Sequence, residues 1–411
     1  MTAASRREAF NAWEPGLGAV VAVDAAAFDT LETGEGPLAG VAVGVKDIVD
    51  VAGLPTRNGS AACAGAAAAA RDAPVVAALR AAGAAILCKT ATTEFAFTDP
   101  TPTLNPHDHG ATPGGSSSGS GAAVGAGLLD LAIGTQTAGS LCRPAAFCGA
   151  VAFKPSHGAL PTAGVTPLAP SFDTVGFIAS RVSIASEAWR ACGGALETKA
   201  DASGLHVARA AIDPAAPMTP AALDALDGAE RALAAAGATT ARAAAAVDLE
   251  AVVTDHRTVM LAEAAERHAR LLGSDAPSLR PNFRSALEEG RGIARPDVNA
   301  ARDRLRAARA RFWAAAAGYD ALLAPPAPGA APPRDQGTGY QHLLTPWTVF
   351  GGPLVCLPWG TDAAGRPLAV MLAGRPGRDG ALLALAADLE AAAPPRLAPA
   401  PPPGGFTRRE A

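Results

Sequence analysis

Two serines set among small residues are the groups in this sequence best suited to covalent chemistry. Ser116 lies in the Gly/Ser run 114–121, and Ser140 ends the segment 135–140, 24 positions further along the chain. Glycine adopts backbone conformations that other residues disfavour, so such a segment bends sharply and approaches a ligand closely. A serine in that setting, with free N–H groups beside it, has what an acyl-transfer site needs.

Two other interpretations of the Gly/Ser run have to be weighed. Glycine-rich turns bind phosphate, but the usual nucleotide-binding loop ends in Gly-Lys-Ser/Thr, and 114–121 contains no lysine. A flexible linker is the second alternative. A linker would not run directly into 122–129, whose sequence AAVGAGLL is typical of a buried helix.

The stretch 113–144 resembles the signature of the amidase signature family, serine amidohydrolases that use a Ser-Ser-Lys triad. The family has a Gly-Gly-Ser-Ser run, a Gly-Ser nucleophile 24 positions after the first of those serines, and an upstream lysine at the end of an apolar strand. Lys46-Asp47 follows the apolar run 40–45 and matches the third piece. The resemblance is nearly continuous over 38–196 and returns in the closing segments of 319–390.

The resemblance implies an α/β fold, in which one large domain has a mixed central β-sheet sandwiched between α-helical layers. We expect that domain over residues 1–390. It comprises a signature core at 38–196, a variable helical and pocket region at 197–318, and closing strands and a helix at 319–390. The Pro/Ala-rich tail 391–411 is predicted to be disordered.

The resemblance also assigns roles. Lys46 is the expected base, Ser116 the proton relay and Ser140 the nucleophile, with Ser117 auxiliary to the relay. It also implies a cis Gly115–Ser116 peptide. Burial would depress the lysine pKa from about 10.4, and Val43, Val45 and Ile48 are expected to supply the apolar surroundings. The oxyanion-hole donors are expected to be the following main-chain N–H groups: Thr137, Ala138, Gly139 and Ser140.

Three positions depart from the commonest family pattern. Gln136 stands where the family usually has aspartate, Ala138 where it has glycine, and Cys142 where it has arginine, with Arg143 one place later. These departures concern the shape of the acyl pocket rather than the triad. For Arg143, contact with an anionic substrate group and a structural role both stay open.

Composition sets further limits. The chain has 411 residues, 49% of them hydrophobic, and a net charge of −4, so no strong field attracts nucleic acid or an anionic membrane. The six cysteines and seven histidines show no metal-ligand spacing, and no histidine flanks Gly139-Ser140. We therefore expect no metal, no cofactor, no nucleic acid or membrane partner, and a cytoplasmic location; a homodimer is left open.

The sequence thus predicts an amidase that hydrolyses a small linear carboxamide through an acyl-enzyme. One alternative is the glutaminase-type A subunit of a tRNA-dependent amidotransferase, which belongs to the same family and works with partner subunits. A non-catalytic binding module is the other, but such a protein has no use for Lys46 and both serines together. The sequence does not name the substrate.

Overall fold

The described chain forms one α/β domain around a single mixed β-sheet. The computed structural model describes residues 2–196, 202–211, 216–244 and 246–402. Within these ranges the sheet has eleven strands: β1 (Val20–Val23), β2 (Ala42–Lys46), β3 (Ala85–Thr90), β4 (Leu131–Gln136), β5 (Val151–Lys154), β6 (Thr174–Ala179), β7 (His206–Arg209), β8 (Thr239–Arg242), β9 (Ala321–Ala324), β10 (Leu354–Thr361) and β11 (Pro367–Ala373). Their order in the sheet is β1-β3-β2-β4-β6-β5-β10-β11-β9-β7-β8. The predicted fold class is confirmed.

Helices cover both faces of the sheet. The described helices are α1 (Ala3–Leu17), α2 (Thr30–Thr33), α3 (Pro74–Ala81), α4 (Ser118–Gly125), α5 (Cys142–Phe147), α6 (Val182–Ala191), α7 (Pro220–Ala235), α8 (Leu249–His268), α9 (Pro281–Gly292), α10 (Arg295–Ala315), α11 (Thr345–Phe350) and α12 (Asp379–Ala391).

The two faces of the sheet are packed with side chains of different size. Successive side chains of a strand point to opposite faces. In β4 the large Leu131 and Ile133 join the apolar core on one face, where α3, α6, α7 and α12 pack, whereas Ala132 belongs to the core on the other. In β5, Ala152 lies on the same face as Ala132. The small residues leave room for helices α4 and α5 to lie close to the sheet.

Glycine in α4 allows that close approach. A Cβ at Gly119 would lie 2.2 Å from the carbonyl oxygen of Ala19, and one at Gly125 would lie 2.2 Å from that of Cys148. Real Cβ atoms do not approach backbone oxygens so closely, so a larger residue at either position would displace the helix. The Gly/Ser composition of the signature thus serves packing as well as chemistry.

The region that the sequence left least defined forms a layer of long helices, α8 to α10. Helix α10 begins at Arg295, with Pro296 in its first turn. Its arginines form ion pairs with acids, among them Arg302 with Glu263 at 2.7 Å and Arg304 with Asp255 at 2.6 Å, both acids on α8.

The last described residues follow α12 along the surface. Residues 392–402 contain no helix or strand, and the Ala400 N–H donates to the Pro106 carbonyl at 2.9 Å. The remainder of the tail that we predict to be disordered, 403–411, lies outside the described residues. No helix in the described ranges is both long and apolar enough to cross a membrane.

Candidate active site

Lys46 ends a central strand of the sheet and is buried. Strand β2 lies parallel to both of its neighbours, β3 and β4, so their carboxyl ends meet at one edge. At that edge the Lys46 side chain has no exposed surface. Its Nζ is hydrogen-bonded to Ser116 Oγ at 2.7 Å and donates to Thr135 Oγ1 at 2.8 Å. The structure therefore brings Lys46 and Ser116 together, although 70 positions separate them in the chain.

The surroundings of Lys46 differ from those predicted. Val43 and Val45 pack in the core on the opposite face of the sheet, as does Ile48 beyond the strand. Because side chains alternate along β2, Lys46 lies on the same face of the sheet as Ala42 and faces α4 instead. Its dehydration comes from the close packing of small residues on that face, which the sequence analysis did not anticipate.

Burial lowers the pKa of Lys46 from its usual value to about 7, while the charge of Asp173 acts in the opposite direction. The Asp173 carboxyl is itself buried, which raises its pKa. It accepts hydrogen bonds from Thr137 Oγ1 at 2.6 Å and from the N–H groups of Leu168 and Ala169. A substantial fraction of Lys46 is therefore neutral at pH 7, which a base requires.

Ser116 follows a cis Gly115–Ser116 peptide bond, as the resemblance implies. The next N–H, that of Ser117, donates to the Ser140 carbonyl at 3.2 Å and ties the two serine segments together. Among the described residues, no hydrogen bond joins the Ser116 and Ser140 hydroxyls. Catalytic hydrogen bonds often tighten only when a substrate is bound. The Ser117 hydroxyl contacts the main chain of Thr135 at 3.4 Å rather than the relay itself.

Ser140 lies between β4 and α5 with four main-chain donors around it. In the described chain none of the N–H groups of residues 137–140 has an acceptor. These are the groups that the family resemblance assigns to the oxyanion hole. A cavity of about 80 Å³ adjoins them, and Ser140 is among its lining residues. Free N–H groups beside a hydroxyl can stabilise a developing oxyanion.

Gln136, which replaces the aspartate usual in the family, caps the short helix α5 that follows Ser140. Its Oε1 accepts from the N–H groups of Leu141 and Cys142 at 3.1 and 3.0 Å. Its Nε2 donates to Thr348 Oγ1 at 3.0 Å. The acceptor role expected of an aspartate is kept, and an amide donor is added.

Arg143 lies in the wall of the same cavity and is 2% exposed. Its Nη2 donates to the Gly115 carbonyl at 2.7 Å and to Thr338 Oγ1 at 3.2 Å. Within the described ranges its Nε and Nη1 have no partner, and burial lowers its pKa to about 10. Arg143 therefore holds the carbonyl of Gly115, which precedes Ser116, through one of its nitrogens.

His256 is one of the site residues that the sequence did not reveal. It belongs to α8, 119 positions from Thr137, and its Nε2 is 2.8 Å from the Thr137 carbonyl oxygen. Its ring packs on Phe172 with centroids 4.3 Å apart. No local signal marks it, because it stands in an ordinary helical sequence. By contrast, His107 bonds the Cys148 carbonyl through Nε2 at 3.0 Å and does not line the cavity.

A second, mostly apolar cavity of about 380 Å³ adjoins the first. Val253 and His342 line both cavities. The aromatic residues that line the larger cavity are Phe312, Tyr319, Tyr340, Trp347 and Phe350.

Lys89 and Glu94, two further buried ionisable residues, contact neighbouring loops rather than Ser140. Lys89 Nζ pairs with Asp47 at 2.9 Å, and Glu94 accepts from Ser60 Oγ at 2.6 Å and from the Arg280 N–H at 2.7 Å. Nowhere in the described chain do three or more His, Cys, Asp or Glu side chains form a group that could hold a metal ion.

Comparison with known proteins decides the family. The family described as Amidase matches residues 10–383. The chain belongs to the amidase family. It is 32% identical over 383 residues to "Putative amidase AmiD" of Mycobacterium tuberculosis H37Rv, covering 83% of this chain and 77% of that protein.

Two further relatives show how varied the family is. The A subunit of the glutamyl-tRNA(Gln) amidotransferase of Methanospirillum hungatei is 44% identical over 167 residues, which is 39% of this chain and only 38% of the length of that relative. The native peptide amidase of Stenotrophomonas maltophilia is similar in structure, with a TM-score of 0.84 and 25% identity, covering 97% of this chain and 94% of that one.

Proposed function

We propose that this chain is a serine amidohydrolase that hydrolyses a linear carboxamide to a carboxylic acid and an amine or ammonia. The observation that carries the proposal is the dehydrated contact of Lys46 Nζ with Ser116 Oγ, next to a nucleophile segment whose N–H groups have no acceptor in the described chain. Membership of the amidase family supports the class of reaction.

The reaction begins with two proton transfers. Neutral Lys46 Nζ takes the proton of Ser116 Oγ as Ser116 takes that of Ser140 Oγ. Ser140 Oγ attacks the amide carbonyl carbon and forms a tetrahedral intermediate, whose oxyanion the N–H groups of 137–140 stabilise. Ser116 returns a proton to the leaving nitrogen, and the C–N bond breaks to leave an acyl-enzyme. Water, deprotonated by the same relay, then releases the acid and restores Ser140.

The substrate's acyl part is small in this proposal. The cavity at Ser140 has about 80 Å³, room for a short chain or a compact ring, while the adjoining apolar cavity is several times larger. Short aliphatic amides and their anilides are therefore the first candidates, and the corresponding esters should also react because they are better acyl donors.

The test is a panel of short aliphatic amides, anilides and esters, assayed with the purified protein alone. We expect hydrolysis of at least one amide, no effect of a chelator, and labelling of Ser140 by a fluorophosphonate. Loss of activity with a chelator and its recovery with a metal ion would refute the mechanism.

The glutaminase-type amidotransferase subunit is the second candidate, because the first relatives matched carry the name of that enzyme. It predicts glutamine hydrolysis that depends on partner subunits. Activity that appeared only with glutamine and such partners would favour it over the self-sufficient amidase.

A further inference from the structure

Side chains from two distant helices bind the carbonyl oxygens of Thr137 and Ala138 in the nucleophile segment, residues 135–140. His256 of α8 contacts the Thr137 carbonyl at 2.8 Å, and Thr348 of α11 donates its hydroxyl to the Ala138 carbonyl at 2.6 Å. Both bonds are buried and bridge 119 and 210 positions of the chain. A carbonyl only accepts, so the Nε2 of His256 must carry the hydrogen.

Each of these carbonyls shares a peptide plane with one of the free N–H groups. Both peptide bonds are trans, so the C=O of one residue and the N–H of the next point in opposite directions from a rigid plane. A donor on the Thr137 carbonyl thus fixes where the Ala138 N–H points. A donor on the Ala138 carbonyl fixes the Gly139 N–H in the same way.

Gln136 gives the Thr348 hydroxyl its direction. The Oε1 of Gln136 is occupied by two N–H groups of α5, which leaves its Nε2 to donate to Thr348 Oγ1 at 3.0 Å. The hydroxyl accepts that bond and keeps its own hydrogen for the Ala138 carbonyl. A carboxylate at position 136 would offer only acceptors and would compete for that hydrogen.

We propose that His256 and Thr348, the latter oriented by Gln136, are positioning residues that aim the Ala138 and Gly139 N–H groups at the substrate oxyanion. This inference rests on the proposed function. Donors that are fixed before the reaction stabilise the transition state without reorganisation, and a hydrogen-bonded carbonyl polarises the N–H of its own peptide. The hydrogen bonds therefore act on the rate of acylation rather than on ground-state binding.

The experiment compares variants that keep or remove each donor. Thr348→Val removes the hydroxyl at nearly the same volume, and Thr348→Ser keeps it. His256→Phe keeps a ring against Phe172 without a donor, and His256→Gln keeps an N–H. Gln136→Glu reverses the direction of the Thr348 hydroxyl. Thr258→Val, on α8, is the control for a threonine-to-valine change, because the Thr258 hydroxyl donates to the Thr254 carbonyl of its own helix.

Four quantities are measured for each protein: kcat, KM, the Ki of phenylboronic acid and the melting temperature. The substrate for kcat and KM is 4-nitroacetanilide or the best amide of the panel. Rates are expressed per active site labelled by fluorophosphonate. Phenylboronic acid forms a tetrahedral adduct with a reactive serine and so reports on oxyanion binding.

We expect Thr348→Val, His256→Phe and Gln136→Glu each to lose about tenfold to a hundredfold in kcat, somewhat less than the loss of a whole oxyanion donor. KM should change less than about threefold, and the Ki of phenylboronic acid should rise in proportion to the loss in kcat. Thr348→Ser and His256→Gln should recover most of that loss.

A purely structural role predicts a different result. The melting temperature and the labelled fraction would then fall, but kcat per labelled site and the Ki would match the wild type, and that outcome would overturn the inference. Equal losses in Thr348→Val and Thr348→Ser would also overturn it. If Thr348→Val does not fold, Gln136→Glu tests the same hydrogen bond with the hydroxyl in place. If the wild type neither hydrolyses an amide nor labels at Ser140, the proposed function fails instead.

Discussion

Two regions of the domain contribute to the site in opposite ways. Residues 113–154 consist largely of small side chains packed against the sheet, and they hold both serines and all four free N–H groups. The helices α8 to α10 carry long polar side chains and form ion pairs with one another. Of their residues, His256 contacts the Thr137 carbonyl at the site. In the first region chemistry and close packing restrict almost every residue. In the second region, which we call the tolerant region, burial restricts the choice of residue on one side of each helix, and the other side tolerates substitution.

The largest effect should come from the nucleophile. Ser140→Ala removes the attacking oxygen, and we expect a loss of about 10⁶-fold in kcat with an unchanged fold. Fluorophosphonate labelling, located by peptide mapping, should disappear with it. Ser278 is an exposed serine between α8 and α9, and Ser278→Ala is the matched control from the tolerant region. This variant should keep both the wild-type kcat and the fluorophosphonate labelling. An adduct on Ser116 or on a cysteine would contradict the assignment.

Lys46 should come next. Lys46→Met removes the base but leaves Ser140 and the free N–H groups, so we expect a loss of about 10³–10⁴-fold in kcat/KM with catalysis still above the uncatalysed rate. Lys46→Arg should not recover activity, because a guanidinium stays protonated. Relay members act as a unit, so adding Ser116→Ala to Lys46→Met should cost little more.

The control for Lys46 is Lys89, a second buried lysine at the same edge of the sheet. Lys89→Met leaves Asp47 buried without its ion pair, so it should lower the free energy of unfolding by about 3–5 kcal/mol. Its kcat per labelled site should stay within about tenfold of the wild type. Near wild-type activity in Lys46→Met would rule out the proposed base.

The pH dependence should be smaller but diagnostic. Lys46 has a pKa of about 7 and must be neutral to accept a proton, so kcat/KM should rise with pH and level off above that value. Two pH units below the pKa about 1% of Lys46 is neutral, which corresponds to a loss of about 100-fold. The Asp173 charge raises the pKa of Lys46, so Asp173→Asn should move the rising limb of the kcat/KM profile to lower pH.

A histidine base would give another profile. Burial lowers the pKa of His256 to about 4, so His256→Phe should leave the position of the limb unchanged. If the limb disappeared in that variant, or stayed fixed in Asp173→Asn, Lys46 would not be the titrating base.

The smallest effect should come from the tolerant region. Arg306 of α10 and its partner Asp303 are both exposed, and the two pair at 2.8 Å. Arg306→Ala should leave kcat/KM and the melting temperature unchanged within error, since exposed ion pairs contribute little to stability. A clear loss of activity would mean that the outer surface of α10 matters to the site, and the contrast between the two regions would then be weaker than we describe.

Local sequence determined much of the fold and the main groups of the site. Helix α7 begins with Pro220 and ends just before Gly237, residues that favour the start and the end of a helix. The closing helix expected within 319–390 is observed as Asp379–Ala391. Capping, periodicity and turn residues are encoded by neighbours a few positions apart, so such elements can be read directly. The resemblance of 113–144, and of the strand that ends in Lys46, to the amidase signature singled out the candidate triad.

Only the tertiary structure decided how these groups are surrounded. The apolar residues expected to dehydrate Lys46 face the other side of the sheet, and Asp173 and Thr135 complete its environment instead. His256 and Thr348 contact the nucleophile segment from more than a hundred positions away. His256 stands in no motif, and the resemblance of the closing segment, which includes Thr348, did not indicate this contact. A hydrogen bond across that distance depends on how α8 and α11 pack on the sheet. The chain order of the residues contains no local record of that packing.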